Sequence, residues 1–420
     1  MEGPSPLTLV MSDRSPGRFA FTALIAALDA APEPGLEVVT PRTPEQLLTE
    51  VRRAGATGGR LVVAWSFYSS SFPECAAELA WLRAEVPEIP FLAIAGGVHA
   101  TAEPAQTLAA GFDLVCIGEG ERALPELLRR LHLGAPLDGT PGFAAAQWRG
   151  PKPPEVGLDE FPPFSPARNR YGSIEITRGC LYACRFCQTP FFSKARFRHR
   201  SVESVASAVR ALATSGRRDV RFISPTSLSY GSSDASVNLD AVEALLVAVR
   251  EAAGPSGRIF FGTFPSEVRP EHVSPEALEL LKRHVHNDNL IIGGQSGSER
   301  VLAHSRRGHG VEEIRRAVAL CREHGFTPNV DFILGLPEES PDDAEATLAL
   351  MESLADQGAR VHGHTFMPLP GTPFREAAPG QVDPRFHARL DRLAARGRFY
   401  GQWRVQQTQA QGIADRRAPR

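Results

Sequence analysis

Short apolar runs alternate with amphipathic segments along most of this 420-residue chain. In the first third, each run typical of a buried strand is followed by apolar residues at helical spacing. The predicted strands are residues 7–11, 37–39, 61–65, 91–95 and 114–117, and the predicted helices are 19–30, 44–53, 73–86, 102–110 and 121–131. Five such units in series predict an α/β domain with a doubly wound, flavodoxin-like parallel sheet, whose ligand would lie at the carboxyl ends of the strands.

The same alternation resumes after residue 172. The predicted strands here are 174–177, 220–224, 259–262, 290–293, 329–334 and 360–366, and the predicted helices are 202–214, 235–252, 275–284, 311–324 and 341–357. The first strand, its loop and the helix at 202–214 count as one unit. With it, this part of the chain forms six consecutive strand–helix units.

Residues 133–172 are rich in proline and have few periodic apolar positions. This composition predicts an interdomain connection, either a passive linker or a strap that lays the first domain over the mouth of the second. The predicted domains are therefore 1–132 and 173–376, joined by a linker at 133–172 and followed by a C-terminal helix and tail at 377–420. In that last part we expect one helix at 387–395, and we expect the last dozen residues to be disordered.

The composition narrows the function classes. A net charge of -2 gives no field that would attract nucleic acid, so no nucleic-acid partner is expected. No apolar run approaches the roughly 20 residues of a membrane span and no signal segment is recognisable, so a cytoplasmic protein is expected. Cys75, Cys116 and Cys321 lie apart in apolar patterns and are expected to be small buried residues rather than disulfide partners.

The segment 173–190 is the one place where residue type and spacing together demand a specific chemistry. After a short strand, Gly179 turns the chain into a loop on which Cys180, Cys184 and Cys187 can converge. Convergent thiolates select soft metal sites, among them zinc, Cu(I) and iron–sulfur clusters. A zinc site needs a fourth ligand that the neighbouring sequence does not supply, whereas three thiolates on a 4Fe-4S cluster leave one iron open for a substrate or cosubstrate.

The Cys-x3-Cys-x2-Cys spacing, with Gly179 before the first cysteine and Phe186 before the last, resembles the cluster loop of the radical S-adenosylmethionine (SAM) superfamily. A fragment of a structural metal site is the alternative. The resemblance implies that the open iron binds SAM, whose reductive cleavage gives a 5′-deoxyadenosyl radical. It also implies that the six strand–helix units form a partial (β/α)6 barrel, which works at the carboxyl ends of its strands.

Several strand ends resemble the SAM-binding segments of that superfamily. Residues 224–226 stand where a Gly-Gly-Glu usually holds the SAM amino group, although the acid is missing here. The Arg269 guanidinium would suit the SAM carboxylate. Residues 331–337 look like the adenine-side strand. The SAM contacts that the resemblance implies are Ser224, Thr226, Ser266, Arg269, Gln295 and Ser296.

The strand ends of the first domain carry small residues, in stretches such as Gly-Gly-Val-His-Ala-Thr at 96–101 and Gly-Glu-Gly-Glu at 118–121. These stretches resemble cobalamin-binding domains that precede radical SAM domains. A plain flavodoxin-like or nucleotide-binding domain is the alternative. The loop at 13–17 has no histidine, so cobalt should lack a protein imidazole from that position, and His99 suits hydrogen bonding better than ligation. The implied cobalamin contacts are Asp13, Ser66, Gly96, Gly97, His99, Gly118, Glu119 and Gly120.

The sequence therefore predicts a cobalamin-dependent radical SAM enzyme that methylates an unactivated carbon of a small-molecule or lipid substrate, with an electron donor such as flavodoxin or ferredoxin. The alternatives are radical rearrangement or cyclisation without methyl transfer, and a non-catalytic cobalamin or redox sensor. A tRNA methylthiotransferase would need a second cysteine-ligated cluster and an RNA-binding appendage, and neither is visible. His362 and His364 share one face of the last barrel strand, and they serve either substrate and proton transfer or packing toward the helices.

Overall fold

The computed structural model describes residues 6–14 and 17–417, so Ser15 and Pro16 of the first strand-end loop lie outside it. The chain divides into two compact units, Met1–Gly172 and Ser173–Arg420.

The N-terminal unit is built on one sheet, with strand order β2-β1-β3-β4-β5-β6. The strands are β1 (Leu7–Met11), β2 (Leu36–Val39), β3 (Arg60–Ser66), β4 (Leu92–Gly96), β5 (Leu114–Cys116) and β6 (Phe143–Ala144). The helices are α1 (Arg18–Ala30), α2 (Pro44–Gly55), α3 (Phe72–Glu85), α4 (Val98–Ala102), α5 (Pro104–Ala109) and α6 (Ala123–Leu133). The first five strands are parallel, and β6 pairs with β5 in the antiparallel sense.

Helices cover both faces of this sheet, which explains why its central strands are apolar without interruption. All five residues of β1 are buried. Val10 belongs to a core that includes Val63 and Leu79, whereas Leu9 belongs to a second core that includes Ile25. Alternate side chains of one strand thus enter different cores. The predicted doubly wound sheet is confirmed.

The segment predicted as a linker, 133–172, is part of the N-terminal unit. This segment contributes β6. Arginines near its C-terminal end form ion pairs with aspartates near the start of the chain. Arg170 donates to both carboxylate oxygens of Asp13 at 2.6 and 3.1 Å, and Arg168 donates to Asp29 at 2.7 Å. The backbone N–H of Val156 donates to Glu119 at 3.0 Å. The segment is therefore ordered, and Asp13 and Glu119 each hold part of it.

The two larger sheets of the C-terminal unit contain seven parallel strands. Six of them are the strands that the sequence predicts, and the seventh is a two-residue strand, Phe399–Tyr400, that pairs with the last of these. The strands of the unit are β7 (Ile174–Glu175), β8 (Thr177–Arg178), β9 (Arg198–His199), β10 (Asp219–Ile223), β11 (Arg258–Phe260), β12 (Asn289–Gln295), β13 (Thr327–Leu334), β14 (Arg360–Thr365) and β15 (Phe399–Tyr400). They form the sheets β11-β10-β7 and β12-β13-β14-β15, with β8 and β9 as a separate hairpin. Parallel bridges at Ser224–Ser266 and Val268–Ile292 join the two larger sheets, as a partial (β/α)6 barrel requires.

The helices of this unit pack on the outside of the sheet. They are α7 (Thr189–Phe192), α8 (Val202–Thr214), α9 (Leu239–Ala253), α10 (Pro275–His284), α11 (Glu299–His304), α12 (Val311–Glu323), α13 (Pro341–Asp356), α14 (Pro384–Ala395) and α15 (Trp403–Asp415). Phe332 of β13 and Val361 of β14 pack with Leu354 of α13 in one core. The other faces of these two strands are therefore turned away from the helices.

The expected disorder of the last dozen residues is wrong for residues 409–415, because these residues complete α15. Ala410 and Ile413 are buried and fix this helix to the unit. Residues 418–420 lie outside the described part of the chain. Among the residues that the structure describes, no helix is both long enough and apolar enough to cross a membrane.

Candidate active site

The three-cysteine loop leaves the barrel between two short strands. β8 and β9 pair in the antiparallel sense and close the loop at its base. Gly179 begins the loop with φ of 85°, a left-handed conformation that glycine adopts without strain. A Cβ at this position would stand 2.1 Å from the backbone oxygen of Arg196 and 2.8 Å from the Cβ of Ser193. The close return of the chain therefore requires glycine here.

The three thiols lie close enough to influence one another. Cys184 is buried and Cys180 and Cys187 are partly buried. Burial raises the pKa of Cys180 to about 11, and the neighbouring thiols of Cys187 and Cys184 add to the shift. Burial also raises the pKa of Cys187. Without a metal, Cys180 and Cys187 are therefore protonated at neutral pH, and iron would displace these two protons when it binds.

The spacing of the sulfur atoms suits a cluster better than a single ion. In the described part of the chain, the group of three potential ligands close enough to share one ion is Asp331, His362 and His364, and the cysteines form no such group. A 4Fe-4S cluster holds its thiolates on different iron atoms and so accepts wider spacing. The loop fits the cluster that the sequence predicts.

A buried arginine that the sequence did not indicate contacts the cysteine loop. The Arg307 guanidinium donates from Nη1 to Cys184 Sγ at 3.6 Å and from Nη2 to the backbone oxygen of Gly293 at 2.7 Å. Its Nε donates to His309 Nε2 at 2.9 Å. A positive charge beside a ligand thiolate stabilises the more negative, reduced form of a cluster. Arg307 follows α11 in a short loop, and no spacing in the sequence distinguishes it.

Ser224 and Ser266 lie side by side at adjacent strand ends, joined by a parallel bridge. The Ser266 hydroxyl donates to the backbone oxygen of Phe222 at 2.6 Å, so its proton is used inside the fold. The Ser224 hydroxyl is buried and has no hydrogen-bond partner among the described residues. A buried polar atom of this kind is costly unless a ligand satisfies it, which fits a SAM contact at Ser224.

Arg269 and Thr226 are tied to the cysteine loop through Tyr182. The Arg269 guanidinium lies over the Tyr182 ring at 3.5 Å from its centroid, and its Nε donates to Glu271 at 2.5 Å. The Tyr182 hydroxyl is 2.8 Å from His272 Nε2, and His272 Nδ1 is 3.3 Å from the Thr226 hydroxyl. These contacts place both predicted residues beside the loop, with Thr226 reaching it through His272.

The two predicted residues after β12 point in different directions. The pairing of β12 with β13 has an irregularity between Gly293 and Gln295, and Gln295 has φ of 76°. Gln295 lies near Arg307, because both side chains crowd the position where Gly293 would carry a Cβ. The Ser296 hydroxyl instead lies 3.2 Å from the Thr347 hydroxyl on α13. The structure therefore directs Ser296 to the helix layer.

An acid missing from the predicted SAM segment is present on the neighbouring strand end. The Glu267 side chain is open to solvent but has many protein atoms around it, and its carboxyl senses the charges of Asp331, Arg307 and Arg269. Burial raises the pKa of its carboxyl to about 7, with a further contribution from Asp331, while Arg307 and Arg269 oppose the shift. The sequence did not indicate Glu267, because the acid that holds the SAM amino group was expected at 224–226, after the preceding strand β10.

The residues predicted to contact cobalamin all lie at the carboxyl ends of strands in the N-terminal sheet. They differ in the contacts that their side chains make. Asp13 is bound by Arg170. Gly97 has φ of 93°, and a Cβ there would stand 2.8 Å from the backbone oxygen of Phe67 and 3.1 Å from the Ser66 hydroxyl. His99 is buried, with Nδ1 at 3.0 Å from the Ser69 hydroxyl and its ring stacked on Phe72. His99 is thus held within the protein.

Gly96, Gly118 and Gly120 differ in what lies around the position that a Cβ would take. A Cβ at Gly96 would meet only ordinary contacts, and at Gly118, with φ of 90°, it would meet nothing within 4 Å. A Cβ at Gly120 would stand 2.8 Å from Leu24, so this glycine serves internal packing. Glu119 holds the backbone of Val156. The backbone at Gly118 therefore borders open space at the sheet edge, as a large flat ligand would need, whereas a Cβ at Gly96 would be in ordinary contact with Cys116 and Trp65.

The sequence model of the radical SAM superfamily matches residues 174–351, the stretch that holds the cysteine loop and five of the six barrel strands. Residues 174–351 form a radical SAM domain. The cofactors of such a domain are a 4Fe-4S cluster and SAM.

Relatives of known name share this radical SAM domain. A tRNA-2-methylthio-N(6)-dimethylallyladenosine synthase of Chlorobium phaeobacteroides is 36% identical over 189 residues, which is 43% of this chain and 40% of that protein. A synthase of the same name from Porphyromonas gingivalis is 31% identical over 66% of this chain and 61% of its own length. The chain therefore spans less than two thirds of the length of these relatives.

Solved structures share the fold beyond the radical SAM domain. The radical S-adenosylmethionine methyltransferase TsrM of Kitasatospora setae, solved with cobalamin and a 4Fe-4S cluster bound, has a TM-score of 0.70 and 18% identity, covering 89% of this chain and 74% of that chain. The cobalamin-dependent radical enzyme OxsB has a TM-score of 0.64 and 17% identity, covering 84% of this chain and 52% of its own. At these identities the similarity establishes the fold.

Acid should destabilise the radical SAM domain through two buried histidines. Burial first, and then Arg269 and Arg307, lower the pKa of His272 to about 4, and burial and Arg307 lower that of His309 to about 4. In the unfolded chain both titrate near the ordinary value of about 6.5. Below that pH the unfolded state binds protons that the folded state excludes, so the free energy of unfolding falls until the pH reaches about 4, by up to about 1.4 kcal/mol per pH unit for each group.

Urea unfolding at pH 7.0 and at about pH 5 measures this loss. His272→Gln keeps a side chain that can hydrogen-bond Tyr182 but cannot titrate, so the variant should show a smaller pH dependence than the unsubstituted chain. Equal stability of the unsubstituted chain at the two pH values would contradict the assignment of neutral buried histidines.

Proposed function

We propose that this protein is a cobalamin-dependent radical SAM enzyme that methylates a carbon atom of a small-molecule or lipid substrate. The observation that carries the proposal is the similarity of fold to TsrM over 89% of this chain, a span too long for the radical SAM domain alone. TsrM is a methyltransferase solved with both cofactors. The N-terminal unit offers a matching place for cobalamin at its glycine-lined sheet edge.

The cluster and SAM would supply a carbon radical that removes hydrogen from an unactivated position. Cys180, Cys184 and Cys187 would hold the cluster, and Arg307 would donate a hydrogen bond to the thiolate of Cys184. Ser224 offers a buried hydroxyl, and Glu267 offers a carboxyl one residue after Ser266, which pairs with Ser224, so these two would suit the SAM amino group. Arg269, held beside the loop by Tyr182, suits the SAM carboxylate.

Cobalamin would supply the methyl group. The open space beside Gly118 would allow a corrin ring to approach the backbone closely, and a large side chain at this position would obstruct the ring. The loop after β1 has no histidine, and His99 is turned to Ser69, so the residues of this edge suit hydrogen bonding to the corrin rather than ligation of cobalt. Flavodoxin or ferredoxin would supply electrons.

The second candidate is a tRNA methylthiotransferase, which is the activity in the names of the curated relatives. Such an enzyme needs a second cluster. Outside the radical SAM loop the chain has Cys75, Cys116 and Cys321. They lie on α3, in β5 and on α12, so no second loop gathers three cysteines, which favours the methyltransferase proposal.

The deciding experiment is the cofactor content of protein made with cobalamin available and purified without oxygen. We expect about four irons and about one corrin per chain, together with 5′-deoxyadenosine formation from SAM after reduction. Iron without corrin would overturn the cobalamin proposal while leaving the radical SAM domain in place. About eight irons per chain, with methylthiolation of tRNA, would favour the second candidate.

A further inference from the structure

Two histidines of the last barrel strand face the side of the sheet that the cysteine loop occupies. Asp331 lies opposite His362 in the register of β13 and β14, and Ile333 lies opposite His364. Ile333 packs against the same small apolar cluster as Phe186, which directly precedes Cys187 in the cysteine loop. The opposite face of these strands carries the core against the helices. The histidines therefore lie on the face of β14 opposite the core against α13, and His364 is also held by Gln406 of α15.

The hydrogen bonds of His362 fix which of its nitrogens carries a proton. Its Nδ1 lies 3.1 Å from Asp331 Oδ1, and a carboxylate can only accept, so Nδ1 donates. The ring of Tyr400 stacks on His362 at 4.4 Å with an interplanar angle of 6°, which fixes the plane of the imidazole. Neutral His362 therefore presents the lone pair of Nε2 on the edge away from Asp331.

His364 is held in the opposite tautomer. The backbone N–H of Thr365 donates to Gln406 Oε1 at 2.9 Å, so the amide nitrogen of Gln406 must point the other way. That nitrogen donates to His364 Nδ1 at 3.2 Å. Burial, and then the charge of His362, lower the pKa of His364 and favour its neutral form. Neutral His364 therefore carries its proton on Nε2.

The two rings lie next to each other, with centroids 4.1 Å apart at an angle of 64°. The side chain of His362 is 27% exposed and that of Asp331 is 13% exposed, so a small molecule can reach the imidazole edge while the carboxylate stays behind it. Glu267 senses the charges of Asp331 and His362, and Tyr400 senses that of Asp331. One acceptor nitrogen and one donor N–H are thus presented side by side.

We propose that His362 is the proton acceptor of this enzyme, that Asp331 is its positioning residue, and that His364 is a hydrogen-bond donor beside it, so that the pair binds substrates with a weakly acidic O–H or N–H group. This assignment rests on the proposed function, whose substrate class it narrows. In the transfer, the O–H or N–H bond of the substrate breaks and its electron pair stays on the substrate. The proton bonds to His362 Nε2, and the ionised Asp331 stabilises the imidazolium.

A metal ion is the competing occupant, because two histidines and one carboxylate are a common ligand set. Histidines that bind metals usually donate their second N–H to a partner. His364 does the reverse, since its Nδ1 accepts from Gln406. Asp331 accepts from His362 Nδ1 through Oδ1 alone. The hydrogen bonds thus leave His362 Nε2 and the second oxygen of Asp331 as possible ligands, but His364 in this tautomer offers no lone pair, so the third ligand that a metal would need is missing.

The first test is the tautomer of each ring, read from long-range ¹H–¹⁵N correlations of histidine-labelled protein carrying its reconstituted cluster. We expect the proton on Nδ1 in His362 and on Nε2 in His364, with assignments from His362→Gln and His364→Gln. The converse tautomer in His364, or tight binding of one Zn²⁺ per chain that His362→Gln abolishes, would overturn the proposal in favour of a metal site.

The second test uses a fluorinated nitrophenol, whose ¹⁹F shift reports its ionisation, and its methyl ether, which has no proton to give. We expect the phenol to bind at least about tenfold more tightly than the ether, a difference of about 1.4 kcal/mol, and to be ionised when bound at a pH where the free phenol is mostly neutral. Asp331→Asn should lower the ionised fraction more than the affinity, whereas His364→Gln should lower the affinity.

His387→Gln is the matched control, because this histidine packs against Trp403 and is not part of the pair. It should change neither the affinity nor the ionised fraction. Equal binding of phenol and ether, or a bound phenol that stays neutral, would refute proton acceptance by His362. SAM cleavage by the unsubstituted chain is measured in parallel, so that failure of the proposed function is recognised separately.

Discussion

Replacing Cys184 by alanine should abolish both the cluster and SAM cleavage. Cys184 is 4% exposed and receives a hydrogen bond from the buried Arg307, so no water or neighbouring side chain can substitute for its sulfur. Losing a partner of a metal ligand already costs about 10–100-fold in affinity or activity, and losing the ligand itself should cost more. Iron per chain and the yield of 5′-deoxyadenosine under reducing conditions measure the effect.

Cys321→Ala is the matched control, because Cys321 is also a fully buried thiol of the C-terminal unit but lies on α12 among apolar residues. It should lose about 1 kcal/mol of stability and keep its iron. Full iron content in Cys184→Ala, or loss of iron in Cys321→Ala, would contradict the assignment of the three-cysteine loop as the cluster site.

Gly179→Ala should impair cluster assembly although it leaves all three cysteines in place. The new Cβ would stand 2.1 Å from the backbone oxygen of Arg196, so the two ends of the loop would have to separate. The residue would also be held at φ of 85°, which costs an L-residue about 1–2 kcal/mol. We expect iron content to fall to less than about half that of the unsubstituted chain and the thermal midpoint to fall with it.

The control for this prediction is Gly216→Ala. Gly216 has φ of 76°, but a Cβ there would meet nothing within 4 Å. In this variant only the left-handed backbone conformation is unfavourable, so the protein should retain its iron. If the two variants bound iron equally, the close return of the chain at Arg196 would be irrelevant to the cluster.

Local patterns were enough to predict most of the parallel strands, most of the longer helices and the cysteine loop, because each depends on residues near in sequence. Helices α11 and α15 and the two-residue strands β6 and β15 were not predicted. The direction of single side chains at strand ends was not predictable in this way. Ser296 follows an irregularity in β12, and such a shift reverses which face the next residue occupies. Its hydroxyl consequently meets Thr347 instead of the barrel space.

Arg307 and Glu267 were missed for a related reason. Arg307 reaches Cys184 across 123 positions of sequence, and only the packing of α11 against the barrel brings them together. The attachment of 133–172 to the N-terminal unit was missed likewise, since Arg170 contacts Asp13 across 157 positions. Proline content describes the local chain, and it contains no information about such distant partners.

The pairing of β6 with β5 has a consequence for dividing the protein into fragments. β6 supplies hydrogen bonds along the outer side of β5, which would otherwise be a bare edge. A fragment that ends at residue 132 would present that edge to other copies and would tend to associate through it. A fragment that extends through Gly172 keeps the edge covered and retains the charge pair of Asp13 and Arg170, so it is the one to express for studies of the N-terminal unit alone.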